Sequence, residues 1–259
     1  MAVGKNKRVS KGGKRGNKKK TTDPMIRKEW YDVVAPANFK TRQFTKTICN
    51  KSGAGFKAET NIIGRVFEGC LADLNNATDK DLPFRKVKFA AKQVDGRNIL
   101  TQFHSMDLTA DRIRSLVHKW GSMIESVVEA KTADGYVLRL FLIAFTKKQK
   151  GQLSKNSYAK TRLEKWVRHR MTSMIQKRLA QITLDVAVKE LTQDVLADNL
   201  FKRCNPILPL RDLKIRKVKV TRLPPLDSQA FKLTHGEIPE SNEGKVAEAA
   251  PVEVAVAAE

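Results

Sequence analysis

Apolar positions recur with period two through the first half of the chain and with steps of three and four through much of the second. The chain therefore reads as strands first and helices later. Trp30 to Ala35 is aromatic and β-branched and stops at Pro36, which predicts a short strand; Thr41 to Cys49 predicts another. Ile62 to Leu74 (IIGRVFEGCLADL) predicts a long strand bent at Gly64 and Gly69. On such a strand Ile62, Gly64, Val66, Glu68, Cys70, Ala72 and Leu74 share one face, on which Glu68 is the only charge. A carboxylate there needs a basic or amide partner, unless it sits in solvent at a barrel end; Arg65 projects to the opposite face. Asp-Gly pairs at 95–96 and 134–135 predict two hairpins, Val87–Val94 with Asn98–Phe103 and Met123–Lys131 with Val137–Phe145.

Between the hairpins, Thr109 is suited to cap a short helix, with Leu108 and Ile113 spaced as a staple and Gly121 as its stop. Residues 159–180 carry Leu163, Trp166, Val167, Met171, Ile175 and Leu179 on one face of a longer helix. A second helical stretch covers about 184–203, and Pro206 and Pro209 break the chain after it. The last strand, Leu213 to Arg222, alternates Leu213, Ile215, Val218 and Val220 with Lys214, Arg216, Lys217, Lys219 and Arg222. Its phase slips at Arg216-Lys217, which predicts a bulge. The expected class is α+β: an antiparallel, barrel-like sheet flanked by helices.

Charge adds the functional information. The 259 residues hold 50 Lys+Arg against 27 Asp+Glu, a formal net charge of +23, with 41% hydrophobic residues to build a core. Residues 1–20 carry Lys5, Lys7, Arg8, Lys11 and Lys14, then Arg15, Lys18, Lys19 and Lys20, and no acid. This segment is too polar to fold alone and is expected to be a disordered basic arm. Residues 237–259 hold six Glu and one Lys and are expected to be a disordered acidic tail. Removing the arm's +9 and the tail's −5 leaves +19 on a single domain at 21–236. Self-repulsion of that size favours a polyanionic partner, and nucleic acid fits better than a membrane, since the chain offers no spanning run and no lipidation motif. The three cysteines, Cys49, Cys70 and Cys204, match neither a disulfide framework nor a zinc spacing, which suits a reducing compartment.

Catalytic chemistry finds little footing. The histidines His104, His118, His169 and His235 lie on separate segments; His104 suits the end of a strand and His169 a polar helix surface. Gly53-Ala54-Gly55 lacks a dinucleotide-binding continuation, and Glu125, Glu129 and Lys131 are only a faint nuclease pattern. No catalytic residue, metal, cofactor or small-molecule substrate is expected. The candidate RNA-binding residues are the nine cations of the arm, Arg65, the helix cations Lys160, Arg162, Lys165, Arg168 and Arg170, and the strand cations Lys214, Arg216, Lys217, Lys219 and Arg222. Trp120 and Trp166 are expected in the core, so recognition is expected to run through phosphate and RNA shape.

At Ile62–Leu74 the string I-x-G-R-V-x-E-x-C-L-x-D-L resembles the pattern of an archaeal and eukaryotic small-subunit ribosomal protein family, eS-one, with the older name S-three-A. The likeness continues through DPMIRKEWYDVVAP (23–36), from FHSMDLT to DGYVLRLF (103–141), KTRLEKWVRHRM (160–171) and LPLRDLKIRKVKV (208–220), and so spans about residues 21–236. The resemblance implies a non-enzymatic constituent of the cytoplasmic small ribosomal subunit, assembled in the nucleolus. It implies a place on the platform near the messenger exit, bound to small-subunit ribosomal RNA. Neighbouring platform proteins, initiation-factor three and mRNA would be its partners. It also implies a β-barrel flanked by helices. A non-ribosomal RNA-binding assembly factor or chaperone is the alternative that shares the basic surface.

Overall fold

A computed structural model describes residues 23–53, 55–75 and 82–236; the basic arm at 1–20 and the acidic tail at 237–259 lie outside the described residues. Eight strands form one sheet: β1 (Lys28–Val34), β2 (Gln43–Asn50), β3 (Val66–Cys70), β4 (Arg85–Asp95), β5 (Asn98–Leu108), β6 (Met123–Lys131), β7 (Val137–Thr146) and β8 (Leu210–Arg222). Seven α-helices lie among the described residues: α1 (Ala58–Ile62), α2 (Leu71–Asn75), α3 (Ala110–Leu116), α4 (Thr161–Leu179), α5 (Leu184–Thr192), α6 (Val195–Cys204) and α7 (Ser228–His235).

The α+β class holds, but the sheet is open and branched where a barrel-like sheet was expected. Along one edge β5 pairs with β4. Along the other it pairs with β1 in parallel at 98–100 and with β8 at 105–107. The order β2-β1-β5-β8-β7-β6 therefore carries β4 and β3 as a side branch, and among the described strands β1–β5 is the parallel ladder. Both Asp-Gly hairpins form as the turn residues dictate, with Gly96 and Gly135 at φ of 59° and 88°. The bulge in β8 falls at Arg216: Phe141 faces Lys217 and the next residue, Leu142, faces Ile215.

Two predicted elements are corrected. Ile62–Leu74 is not one strand: Ile62 ends α1, Gly64 turns the chain at φ 90°, and only Val66–Cys70 pairs with β4 before α2 begins. Backbone bonds Gly64 N to Ala91 O (3.0 Å) and Arg65 N to Ile62 O (3.1 Å) hold that turn. Ile62, Leu71 and Leu74 are fully buried, so the apolar run was a true core signal with the wrong backbone attached. Likewise the stretch 184–203 is two helices, broken at Asp194 with φ 60°. Thr109 does cap α3, without a side-chain bond, and that helix ends at Leu116, well before Gly121.

The main core packs α4, α5 and α6 against one face of β6, β7 and β8, joining Val167, Met171 and Ile175 to Val128, Leu140 and Val218. Helix α4 also runs along the edge strand β6. Arg168 Nε donates to the Glu125 carbonyl (3.1 Å) and Gln176 Nε2 to the Glu129 carbonyl (3.2 Å), which protects an edge that would otherwise invite pairing. Beneath α6, Arg85 is 1% exposed; it donates to Leu191 O (2.8 Å) and forms an ion pair with Asp194, which also holds Lys214 (3.1 Å).

Helix α7 closes the far end through Phe231 and His235. Burial, with Arg42 adding to it, pushes the His235 imidazole down to about 4. The folded value lies below the unfolded one, so the fold favours the neutral ring. Stability is expected to be unaffected by this group above pH 6.5 and to fall as pH drops toward 4, by about 3 kcal/mol at the acid end. Melting curves of wild type and His235→Phe across that range check it: the variant should lose this component of the acid slope.

Candidate nucleic-acid interface

The candidate surface starts from α4. Its buried residues Val167, Met171, Ile175 and Leu179 fix which side meets the sheet, and helical geometry turns Arg162, Lys165 and Arg170 outward, with Lys160 exposed at the N-cap. These four are exposed and make no ion pair among the described residues. Arg168 differs: half-buried, it binds Glu164 (3.1 Å) and the β6 edge. Arg178 likewise is tied to Glu190. The Lys-rich loop leading into α4 extends the same basic surface with exposed Lys147, Lys148, Lys150 and Lys155. Sequence reasoning passed over this KKQK run because it sits in a loop between two strong elements, although its composition was legible.

The cations of β8 lie elsewhere. Val218 faces the core beneath the helices, so its neighbours Lys217 and Lys219 emerge on the opposite sheet face. Several β8 cations join carboxylates supplied by other elements. Lys217 pairs with Asp107 (3.1 Å), Arg216 approaches Glu125 (3.9 Å) and Lys214 reaches Asp194. Lys219 and Arg222 are exposed and have no ion pair among the described residues. The structure thus separates the α4 cations from the β8 cations instead of uniting them.

The same face accounts for the charge in the Ile62–Leu74 string. Glu68 meets Lys86 (2.7 Å) and Lys88 (3.1 Å), and hydrogen bonding to both holds its carboxyl below the usual carboxylate range. The expected basic partner is therefore present, but the pair is 42% exposed on the Glu68 side, so it lies in solvent as well. Glu68→Gln is expected to move Tm by no more than about 3 °C, measured by thermal melting. Arg65 is a brace: its Nη1 donates to Thr47 Oγ1 (3.0 Å) and Ile48 O (2.9 Å), and its Nε to Asn61 O (3.2 Å).

Groups considered for catalysis are accounted for structurally. Glu129 binds Arg139 opposite it on β7, and Glu125 faces Arg216. His104 lies within β5 rather than at its end, against Ser105 Oγ (3.3 Å); burial and the nearby Lys92, Lys88 and Lys219 lower its pKa. Gly53 and Phe56 exchange backbone bonds across a tight turn, which is the structural use of the Gly-x-Gly. The thiols of Cys49, Cys70 and Cys204 are free, and burial pushes Cys204 up to about 11. Among the described residues no three His, Cys, Asp or Glu side chains gather as a metal site, and no helix is long and apolar enough to cross a membrane.

The tryptophans overturn an expectation. Trp120 and Trp166 were placed in the core; they are 48% and 51% exposed. Trp166 sits on α4 beneath Arg162, whose guanidinium carbon is 5.0 Å from the ring centroid, and Trp120 sits beneath Lys155 at 4.8 Å. The α4 face tolerates Trp166 outside because Val167 and Leu163 already fill the sheet side of that turn.

Comparison with known proteins places this surface in context. Residues 16–224 match the model of the Ribosomal S3Ae family. The chain belongs to that family. It is 60% identical over 259 residues to the small ribosomal subunit protein eS1A of Trypanosoma cruzi (strain CL Brener), covering 100% of this chain and 99% of the relative. Small ribosomal subunit protein eS1 of Anopheles gambiae is 46% identical over 237 residues, covering 92% of this chain and 88% of the relative. The corresponding protein of Triatoma infestans is 45% identical over 237 residues, at 92% and 90%. Membership makes the chain a ribosomal protein rather than an enzyme.

Proposed function

We propose that the chain is a structural constituent of the small ribosomal subunit that binds ribosomal RNA on the platform near the mRNA exit and so supports translation. The observation that carries the RNA-binding part is the run of exposed, ion-pair-free cations on the outer face of α4, continued by the lysines of 147–155. They present point charges and forks to phosphate, and the ions they displace drive binding. In this reading residues 1–20 form a basic extension that lies along RNA grooves, with Lys5 through Lys20 as phosphate contacts, residues 21–236 form the anchored body, and the acidic end at 237–259 stays off the RNA. Lys219 and Arg222 offer a second, smaller contact on the other sheet face. Neighbouring platform proteins, initiation-factor three and the emerging mRNA are the further partners, with assembly in the nucleolus and residence in the cytoplasm. The relatives' names support the ribosomal setting.

The test is sedimentation of the tagged chain through a high-salt gradient. Stable comigration with small subunits is expected. A chain that leaves mature subunits and follows only their precursors would instead be an assembly factor. Deleting residues 1–20 is expected to weaken association with small-subunit ribosomal RNA while cooperative unfolding persists, checked by filter binding beside thermal melting.

A further inference from the structure

We infer that Trp120, held in a clamped left-handed turn beneath Lys155, is a stacking platform for an unpaired RNA base. The inference rests on the RNA-binding reading above and adds a recognition mode to it. Trp120 has φ 71°, a conformation that a bulky side chain rarely adopts and that persists only where the surroundings impose it. The surroundings do impose it. Ser157 donates to the Trp120 carbonyl twice, from its backbone N (2.8 Å) and from Oγ (3.1 Å). Thr146 Oγ1 donates to Ser157 O (2.6 Å) and accepts from Ser122 N (2.9 Å), and Ser122 Oγ accepts from Ala159 N (3.0 Å). A Cβ on Gly121 would stand 3.3 Å from Thr146 Oγ1, so the neighbouring residue must be small.

This bracing uses the backbone of residue 120 and has no need of an indole. Trp120 is 48% exposed, its ring N–H has no hydrogen-bond partner among the described residues, and Lys155 lies 4.8 Å from the ring centroid. Burial therefore covers only about half of this residue's surface and leaves the rest open to a partner. A flat ring on a rigid stem, beside a cation, suits a nucleobase joined to a phosphate: the ring stacks on the base and the ammonium meets the backbone charge. The surrounding chain favours RNA over an acidic protein only through this ring, since both would answer the charge; residues 147–160 contain five Lys and no acid. Tyr158, next to the clamp and 61% exposed, lies at the same site.

The test uses the full chain carrying Trp30→Phe and Trp166→Phe, which leaves Trp120 as the sole indole of three. Titration with single-stranded oligouridine should quench its fluorescence, whereas polyphosphate or polyglutamate of equal charge should not. In the otherwise native chain, Trp120→Ala should weaken oligouridine binding by about 5- to 150-fold with the salt slope unchanged, and Trp120→Phe should retain most of it. Equal quenching by either polyanion overturns the stacking role. So does oligouridine binding at full salt slope without quenching, an outcome that leaves the RNA-binding reading standing. Failure to bind any RNA, small-subunit ribosomal RNA included, removes both. Because the quenching experiment keeps the native residue, it decides the matter even if Trp120→Ala folds poorly.

Discussion

Replacing Asp194 by alanine is expected to destabilise the fold by about 3–5 kcal/mol, lowering Tm by roughly 6–20 °C. The magnitude follows from what remains. Arg85 is 1% exposed, and among the described residues its guanidinium meets Asp194 and the carbonyl of Leu191. Without the carboxylate, a buried guanidinium keeps one neutral acceptor, and the Lys214–Asp194 ion pair is lost as well. Asp194 also occupies the left-handed turn between α5 and α6, where Asn is tolerated. Asp194→Asn should therefore separate the two contributions: it keeps the turn and a hydrogen-bond acceptor but removes the charge. A loss close to that of alanine would assign the effect to the ion pair. Thermal and urea unfolding of both variants, with Arg85→Met beside them, measures this. An apolar Arg85 replacement in the presence of Asp194 should also destabilise, and the double change Arg85→Met with Asp194→Asn should recover part of the loss.

Converting Lys160, Arg162, Lys165 and Arg170 together to glutamine is expected to weaken binding to small-subunit ribosomal RNA by about 100- to 1,000-fold at 0.15 M salt. The plot of log affinity against log salt should flatten by about 0.7–0.9 for each phosphate contact removed, so by about 3 for the set. The comparison that gives this meaning lies on the same helix. Arg168 and Arg178 are already committed to Glu164 and Glu190, so glutamine at those two positions should change the slope much less. Equal slopes for both variants would mean that formal charge, and not the exposed face of α4, governs binding. Stability should hardly change in the fourfold variant, because all four side chains are exposed.

These two expectations mark where the sequence was and was not legible. Periodicity located both hairpins, α4, β8 and its bulge, because in each the alternation of apolar and polar residues is written locally. It failed at Ile62–Leu74, where a fully buried helix end, a five-residue strand and a fully buried helix start all read as apolar. The strand is short and has no buried residue, and the buried helix ends on either side supply the apolar positions that extend its apparent period. The open, branched sheet was also beyond reach, since β5 takes β1 and β8 on the same edge through pairings far apart in sequence. At the candidate interface, local pattern showed which residues are cations. It could not show which carboxylates would reach them. Asp107, Asp194 and Glu125 arrive at β8 from other elements and convert part of an apparent cationic ladder into ion pairs. Trp120 and Trp166 were misplaced for a related reason: aromatic residues favour burial on average, and only the tertiary structure shows whether the core side is already filled.

The basic charge thus resolves into a committed share, spent on ion pairs within the described residues, and an open share that includes α4, its preceding loop, Lys219 and Arg222, with further exposed cations such as Lys131, Lys202 and Arg203 elsewhere. Ultraviolet cross-linking of protein to RNA in intact small subunits, purified through high salt and mapped by mass spectrometry, tests that division most directly. The account predicts ribosomal RNA adducts on peptides from residues 1–20, from 147–160 with Trp120, and from the outer face of α4, with none on the Glu68–Lys86–Lys88 cluster. RNA adducts concentrated on that ion-paired cluster, with α4 cross-linking only to protein, would contradict it.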